Sequence, residues 1–287
     1  MIWVLPALGA ALSVATADFL IKRHFSDRPF TEVAVLRFLG LCPMSLVLLA
    51  LAPPAPVQPG FWLSIAAALP GEIAATFLYL RAIQLSPLAL TQPFLVFTPL
   101  FATLTGLLFL GEFPSGLGFM GILLLVAGAY GLNLHQAKGG WLRPFTAVLR
   151  EPGSWMMLLV GMLYAYTAVL GRRAVLQSSP WFMLSVYPLV VTAGLVAASA
   201  AGRRLSWGWM ARPGPALAVA LAMTAMSLCH FWAISLVQAA YMISVKRLSI
   251  LFAMLYGGIF LGETRLGQHL AAGALMLGGA VLIMIFG

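Results

Sequence analysis

Ten apolar runs follow one another along the chain, at roughly 2–21, 30–52, 61–84, 88–110, 116–134, 154–171, 181–201, 214–236, 239–261 and 267–286. A helix crosses the hydrocarbon core of a bilayer with roughly 20 residues, so each run is long enough to span with modest tilt. Lipid offers no partner to a backbone N–H or C=O, which makes helices the structure such runs adopt. Only 8% of residues are charged, against roughly 25% in soluble domains, and the mean hydropathy is +1.01. The runs consume nearly all of the 287 residues, leaving no room for a sizeable soluble domain. Breaks at Ser86-Pro87 and at Gln238 are tight enough to force antiparallel hairpins. Residues 2–21 lack a basic n-region and are followed by Lys22 and Arg23, so they read as a retained first helix and not as a signal peptide.

An internal repeat decides the architecture. Leu110-Gly111-Glu112 recurs as Leu261-Gly262-Glu263, an offset of 151 residues. The same offset, without a gap, pairs Phe101-Ala102 with Phe252-Ala253, Ala82-Ile83 with Ala233-Ile234, Gly128-Ala129 with Gly279-Ala280 and Pro29 with Pro180. Apolar runs match by chance often, but one register that holds Gly, Pro and Glu landmarks from first helix to last is a tandem duplication. Each unit carries five spans, an odd number, so the second enters the membrane upside down relative to the first. The expected fold is therefore all-α integral membrane, ten transmembrane helices as two inverted five-helix repeats, with repeats at 1–137 and 153–287 and a linker at 138–152. Inverted repeats of this kind place a substrate site near the midplane and expose it alternately to each side by rocking one half against the other.

Ala82-Ile83 followed by Pro93, Pro99-Leu100-Phe101-Ala102, Leu110-Gly111-Glu112 and a helix with Gly121 and Gly128, with Arg37-Phe38 earlier, resembles the signature of EamA-type transporters of the drug/metabolite transporter superfamily. The resemblance covers the whole chain, one copy per half. It implies a cavity lined by helices one to four and six to nine, with the fifth and tenth helices in support or dimerisation, so that the assembly is a monomer or a homodimer. Members move amino acids, sugars, nucleotide derivatives, drugs and lipid-linked compounds, and the resemblance implies a multi-pass protein of the bacterial inner membrane. The second copy departs from the pattern at Ile250, which stands where Pro99 does, and at Lys246-Arg247, which replace the apolar pair Leu95-Val96.

Charges inside a bilayer cost at least about 2.5–3.5 kcal/mol each at a helix centre, so they face a cavity or a partner. Glu72 sits near mid-bilayer and its repeat mate is Met223, so symmetry does not require it. It reads either as a cavity carboxylate for a cationic group or a proton, or as half of an ion pair that braces helices. Lys246 and Arg247 lie about two turns into the ninth helix and point about 100° apart, so either one faces the cavity and the other a neighbouring helix or headgroups, or both reach a shared midplane cavity with Glu72 as the charged part of a substrate site. Tyr79, at i+7 from Glu72, shares its face. Arg37 and His230 are further substrate-site candidates, as is Trp232 among aromatics at helical spacing: Phe77, Tyr164, Tyr166, Tyr187, Phe231, Tyr241 and Tyr256. Asp18 reads as a local salt bridge to Lys22 at i+4, and Glu112 and Glu263 as structural caps at helix ends.

Other chemistry is excluded by what the runs lack. Cys42 and Cys229 stand alone in separate apolar runs without metal-ligand spacing, and no phosphate-cradling glycine loop or grouped Ser, His and acid occurs. An enzyme, a metal and a cofactor are not expected, and a gradient or exchange must supply the energy, a proton being the candidate coupling ion. The net charge of +9 comes from Lys and Arg in small groups at run ends, where membrane lipids and topology account for them and nucleic acid does not. The expected function is a secondary transporter, an exporter or exchanger of small organic metabolites such as amino acids, the alternative being a flippase for lipids or lipid-linked molecules, and further off a non-transport scaffold or sensor. The odd-numbered loops carry most of the Lys and Arg, which by the positive-inside preference places both termini outside, whereas the family resemblance implies both inside.

Overall fold

The computed structural model describes residues 2–51, 56–85, 94–134, 152–261 and 270–286. The expected linker up to residue 151, the break at Ser86-Pro87 and Glu263 lie outside them. The elements are α1 (Val4–Phe25), α2 (Phe30–Leu39), α3 (Cys42–Leu51), α4 (Gly60–Leu85), α5 (Thr98–Leu110), α6 (Gly116–Leu134), α7 (Pro152–Leu176), α8 (Pro180–Ala201), α9 (Pro213–Leu236), α10 (Ala239–Lys246), α11 (Ser249–Leu261) and α12 (Leu270–Phe286). Six segments among the described residues are long and apolar enough to cross a membrane by themselves, and Thr98–Leu110, Gly116–Gly131 and Gly273–Phe286 are shorter apolar helices. Large apolar side chains such as Leu51, Leu63, Leu108 and Leu221 are exposed on the outer faces, as lipid contact demands.

Among the described residues three expected spans are interrupted, the fourth run at Val96-Phe97 just ahead of α5. The second run breaks at Gly40-Leu41 into α2 and α3, because Pro43 has no N–H to give the Leu39 carbonyl. The ninth breaks at Arg247-Leu248 into α10 and α11 without any proline. There the backbone tightens into i→i+3 bonds, Arg247 N–H to Ser244 O and Leu248 N–H to Val245 O, the geometry of a 3-10 turn in mid-helix. Phe97 N–H to Phe94 O marks the same tightening ahead of α5, its repeat counterpart.

Packing repeats under exchange of the halves. α4 of the first unit packs on α7 of the second, and α1 on α9, which are the same pair with the units swapped. α5 meets α7 as α10 and α11 meet α1, while α6 with α12 and α2–α3 with α8 are self-related. This is the contact pattern of an inverted repeat. At the α6–α12 crossing the backbones nearly touch: a Cβ on Gly279 would stand 2.6 Å from the Gly121 carbonyl oxygen. Gly111 ends α5 in the left-handed region, φ 66°, returning its N–H to Leu107 O. Alternation of the spans puts residues 111–115, 177–179 and 237–238 on the face that carries both chain ends, here the terminal face, and residues 26–29 and 202–212 on the other. Ser115 Oγ donating to Phe286 O at 2.7 Å and Gln58 N–H to Gln177 O at 2.9 Å tie the terminal face together.

Candidate functional site

Eight of the ten spans surround a cavity of about 1260 Å³ between the halves. α6 and α12 contribute no lining residue. The cavity runs from Gly171, Tyr187 and Ile243 in the core to Ser26, Asp27, Arg28 and Gln84 at its mouth, on the face away from the termini.

Glu72 lines the cavity two residues after Pro70 in α4. It is half-buried, and the hydroxyls of Thr167 on α7 and Tyr187 on α8 reach toward its carboxylate. Among the described residues it forms no ion pair with Lys246 or Arg247. Both cations line the cavity, although neighbouring residues of a continuous helix point about 100° apart. The helix break between α10 and α11 explains it: Arg247 caps α10 while Lys246 ends it, and the two side chains reach different neighbours across the same space. Lys246 Nζ stands 3.4 Å from His230 Nδ1 on α9, and Arg247 Nη2 donates to Thr98 Oγ1 at 2.8 Å. Arg247 Nε is buried without a hydrogen-bond partner. Cations at the end of α10 also suit the negative end of the helix dipole.

Asp18 does not bridge to Lys22. Its Oδ1 accepts from Arg37 Nη1 at 2.9 Å, and Tyr79 Oη donates to Oδ2 at 3.4 Å. Arg37 is only 8% exposed and must have a counter-charge, whereas Lys22 is exposed and finds solvent. The guanidinium also lies 5.7 Å from the Tyr79 ring centre. With that pair satisfied internally, the first half presents Glu72 to the cavity and the second presents Lys246 and Arg247. Their repeat mates are Met223, Leu95 and Val96, and Tyr79 is the mate of His230, so one pseudo-symmetric position serves an acid in one half and a cation in the other.

Of the aromatic candidates, Tyr79, Tyr164, Tyr187 and Phe231 line the cavity. Trp232 does not: it is 46% exposed on the outside of α9, since two residues along a helix from His230 is a turn of about 200°. Tyr241 instead sits at the terminal face, accepting from Ser115 N–H at 2.7 Å, Tyr256 stacks on Phe19, and Phe77 packs edge-on against Phe30. Asp18, Thr98 and Thr167 join the site unpredicted; an acid before the end of the first apolar run was the signal for Asp18.

Glu112 is held by a cation, as a carboxylate at a helix C-terminus requires. Arg172 on α7 donates Nε to both its oxygens at 2.9 Å and Nη2 to Oε1 at 2.7 Å. At the mouth, Arg212 grips Asp27 with two bonds of 2.9 and 3.0 Å and holds its carboxyl below the usual range, while Ser206 bonds Glu32.

A family model described as the EamA-like transporter family matches residues 1–134 and again 151–285. The chain belongs to the EamA-like transporter family. Two matches in tandem, one per half, make this EamA-like protein a transporter-type membrane protein of the drug/metabolite transporter superfamily. A solved crystal structure superposes on 99% of the chain and 96% of its own length with a TM-score of 0.74 at 18% identity, a likeness of fold alone. No curated protein matches in sequence. The lining of the EamA-like cavity by eight spans, with the fifth and tenth outside it, agrees with what the resemblance implied.

Proposed function

We propose that the protein is a secondary transporter that exports or exchanges small zwitterionic metabolites such as amino acids by alternating access, coupled to a proton gradient or to counter-substrate. The observation that carries this reading is the separation of charge across one cavity, with Glu72 from the first half and Lys246 and Arg247 from the second, none of them joined in an ion pair among the described residues. A substrate ammonium at Glu72 and a substrate carboxylate at Lys246 and Arg247 would bridge the two halves, so binding energy is realised only when both halves approach the ligand. Arg37, Tyr79 and His230 hold the flanks of that site. Lys22 and Arg28 at the mouth, read by the positive-inside preference, support a reading in which the open side faces the cytoplasm, the state that loads an exported substrate.

Reconstitution into liposomes with a panel of amino acids, sugars and amphiphiles tests the reading. Saturable flux of zwitterions is the expected result. Flux of amphiphiles alone would replace it with a flippase, and no saturable flux of any member would sink it. A C-terminal reporter fusion fixes the orientation independently.

A further inference from the structure

Arg172 makes no contact with the cavity, yet its neighbour Gly171 lines it. The guanidinium lies between the cavity and the terminal face and nearly exhausts its donors there. Besides the fork to Glu112 it gives Nη1 to the carbonyls of Ile234 at 2.6 Å, in the last turn of α9, and Val237 at 2.5 Å, the first residue of the turn into α10. Glu112 follows the end of α5 in the first half; Arg172, Ile234 and Val237 all belong to the second. Two further bonds cross the same seam, Ser115 N–H to Tyr241 Oη at 2.7 Å and Gln238 Nε2 to Phe113 O at 3.4 Å. The exit on this face stays shut as long as the end of α5 is fastened to the ends of α7 and α9.

Among the described residues the other face has no equivalent. The repeat mate of Arg172 is Ile21, which lines the cavity toward the mouth and cannot fork a carboxylate. The bonds among the described residues that join the halves there, Arg212 to Asp27 and to His24 O, Ser206 to Glu32 and Thr31 Oγ1 to Arg204 O at 3.0 Å, fasten the loop 202–212 to the 24–32 segment beside the mouth and coexist with its opening.

We infer that the Arg172–Glu112 fork is the gate of the terminal face, and that its lack of a symmetric counterpart holds the resting carrier open on the mouth side. This rests on the alternating-access reading, in which the terminal face must open once per cycle. A bidentate, charge-assisted pair with side chains 11% and 22% exposed is a strong closure, and opening costs it together with both carbonyl bonds. Arg172 and Glu112 are thus positioning residues that set which side the cavity faces, without touching substrate.

The test reads sidedness and needs no substrate. Ala168, beside the cavity on α7, is replaced by Cys in a background with Cys42→Ala and Cys229→Ala, and a membrane-impermeant maleimide is applied from each face in turn. Val57→Cys reports the terminal face and Met210→Cys the mouth face. The parent should label from the mouth face only. Glu112→Gln, nearly isosteric and leaving the carbonyl bonds in place, and Arg172→Met should raise labelling from the terminal face by about tenfold and lower it from the mouth, as a population shift requires. Should Arg172→Met fail to fold, as the surface cysteines would reveal, Glu112→Gln decides. An unchanged ratio, or a rise that is equal from both faces, overturns the gate. A protein that shifts sidedness in this way but moves no solute retains the gate and loses the transport reading.

Discussion

His230 and Tyr79 occupy the same position in the two repeats, and each steadies a charge of opposite sign: Nδ1 of His230 faces Lys246 Nζ at 3.4 Å, while Tyr79 Oη donates to Asp18 at 3.4 Å. A duplicated helix has thus been fitted to opposite electrostatic tasks with one side-chain exchange. It follows that the halves should not tolerate each other's residues, and the charged groups of the cavity are where this is measurable.

Glu72→Gln and Lys246→Ala should each lower transport by about 10–100-fold, the scale of a lost hydrogen bond to a charged group, while expression and folding stay near normal. The double substitution should be no better than the singles. If flux returned in the double variant, the two residues would be a brace and not a substrate site, because removing both partners leaves no lone charge behind.

Asp18→Asn leaves the buried Arg37 guanidinium without its carboxylate and should destabilise the protein by about 1–3 kcal/mol, less than for a fully buried pair because about a third of the Asp18 side chain is exposed. Combining it with Arg37→Met should recover part of that loss. Thermal unfolding in detergent measures the cycle, and additive losses would show that the two residues do not act as a pair.

Gly279→Ala places a methyl 2.6 Å from the Gly121 carbonyl oxygen and the Leu125 nitrogen, backbone atoms that cannot step aside. The expected cost is about 1–3 kcal/mol in thermal stability. Since α6 and α12 contribute nothing to the cavity, flux per folded molecule should be unchanged, and a selective loss of flux would assign this crossing a part in the cycle.

The Asp27 carboxyl is depressed below its ordinary value of 3.8, chiefly by the hydrogen bonds from Arg212. A depressed acid contributes stability above that value and loses it as pH falls through the lower folded value. Asp27→Asn should therefore reduce stability at neutral pH and flatten the acid end of a melting-temperature profile. The effect should shrink in high salt, because Asp27 is exposed. An acid limb identical to that of the parent would show that the Arg212 bond carries none of it.

Trp232→Leu should leave transport and stability close to native values, since the ring faces outward from α9. A loss of substrate affinity in this variant would return Trp232 to the site.

The repeat and its inversion were legible because Glu112 and Glu263, Pro29 and Pro180 keep one register through runs that otherwise look alike. Glu72, Arg37, Tyr79, His230, Lys246 and Arg247 could be found because a polar group in lipid has few tolerable places, so scarcity itself pointed to the cavity. Trp232 and Tyr241 failed because aromatic rings are as acceptable to lipid or to a helix seam as to a cavity. The Asp18–Arg37 pair was missed for another reason. Spacing within one helix favoured Lys22, and the contact made depends on how α2 is laid against α1, which no single run encodes. The break at Arg247-Leu248 has no proline to announce it.

The exchange of partners between repeats bears on how the protein is made. α1 rests on α9 and α4 on α7, so the first five spans leave the ribosome with their principal contact faces vacant. Neither repeat can complete its own packing before the other is synthesised. Biogenesis must hold a half-finished bundle in the bilayer until Pro152–Leu176 arrives to cover α4, and only with Pro213–Leu236 does α1 become anchored.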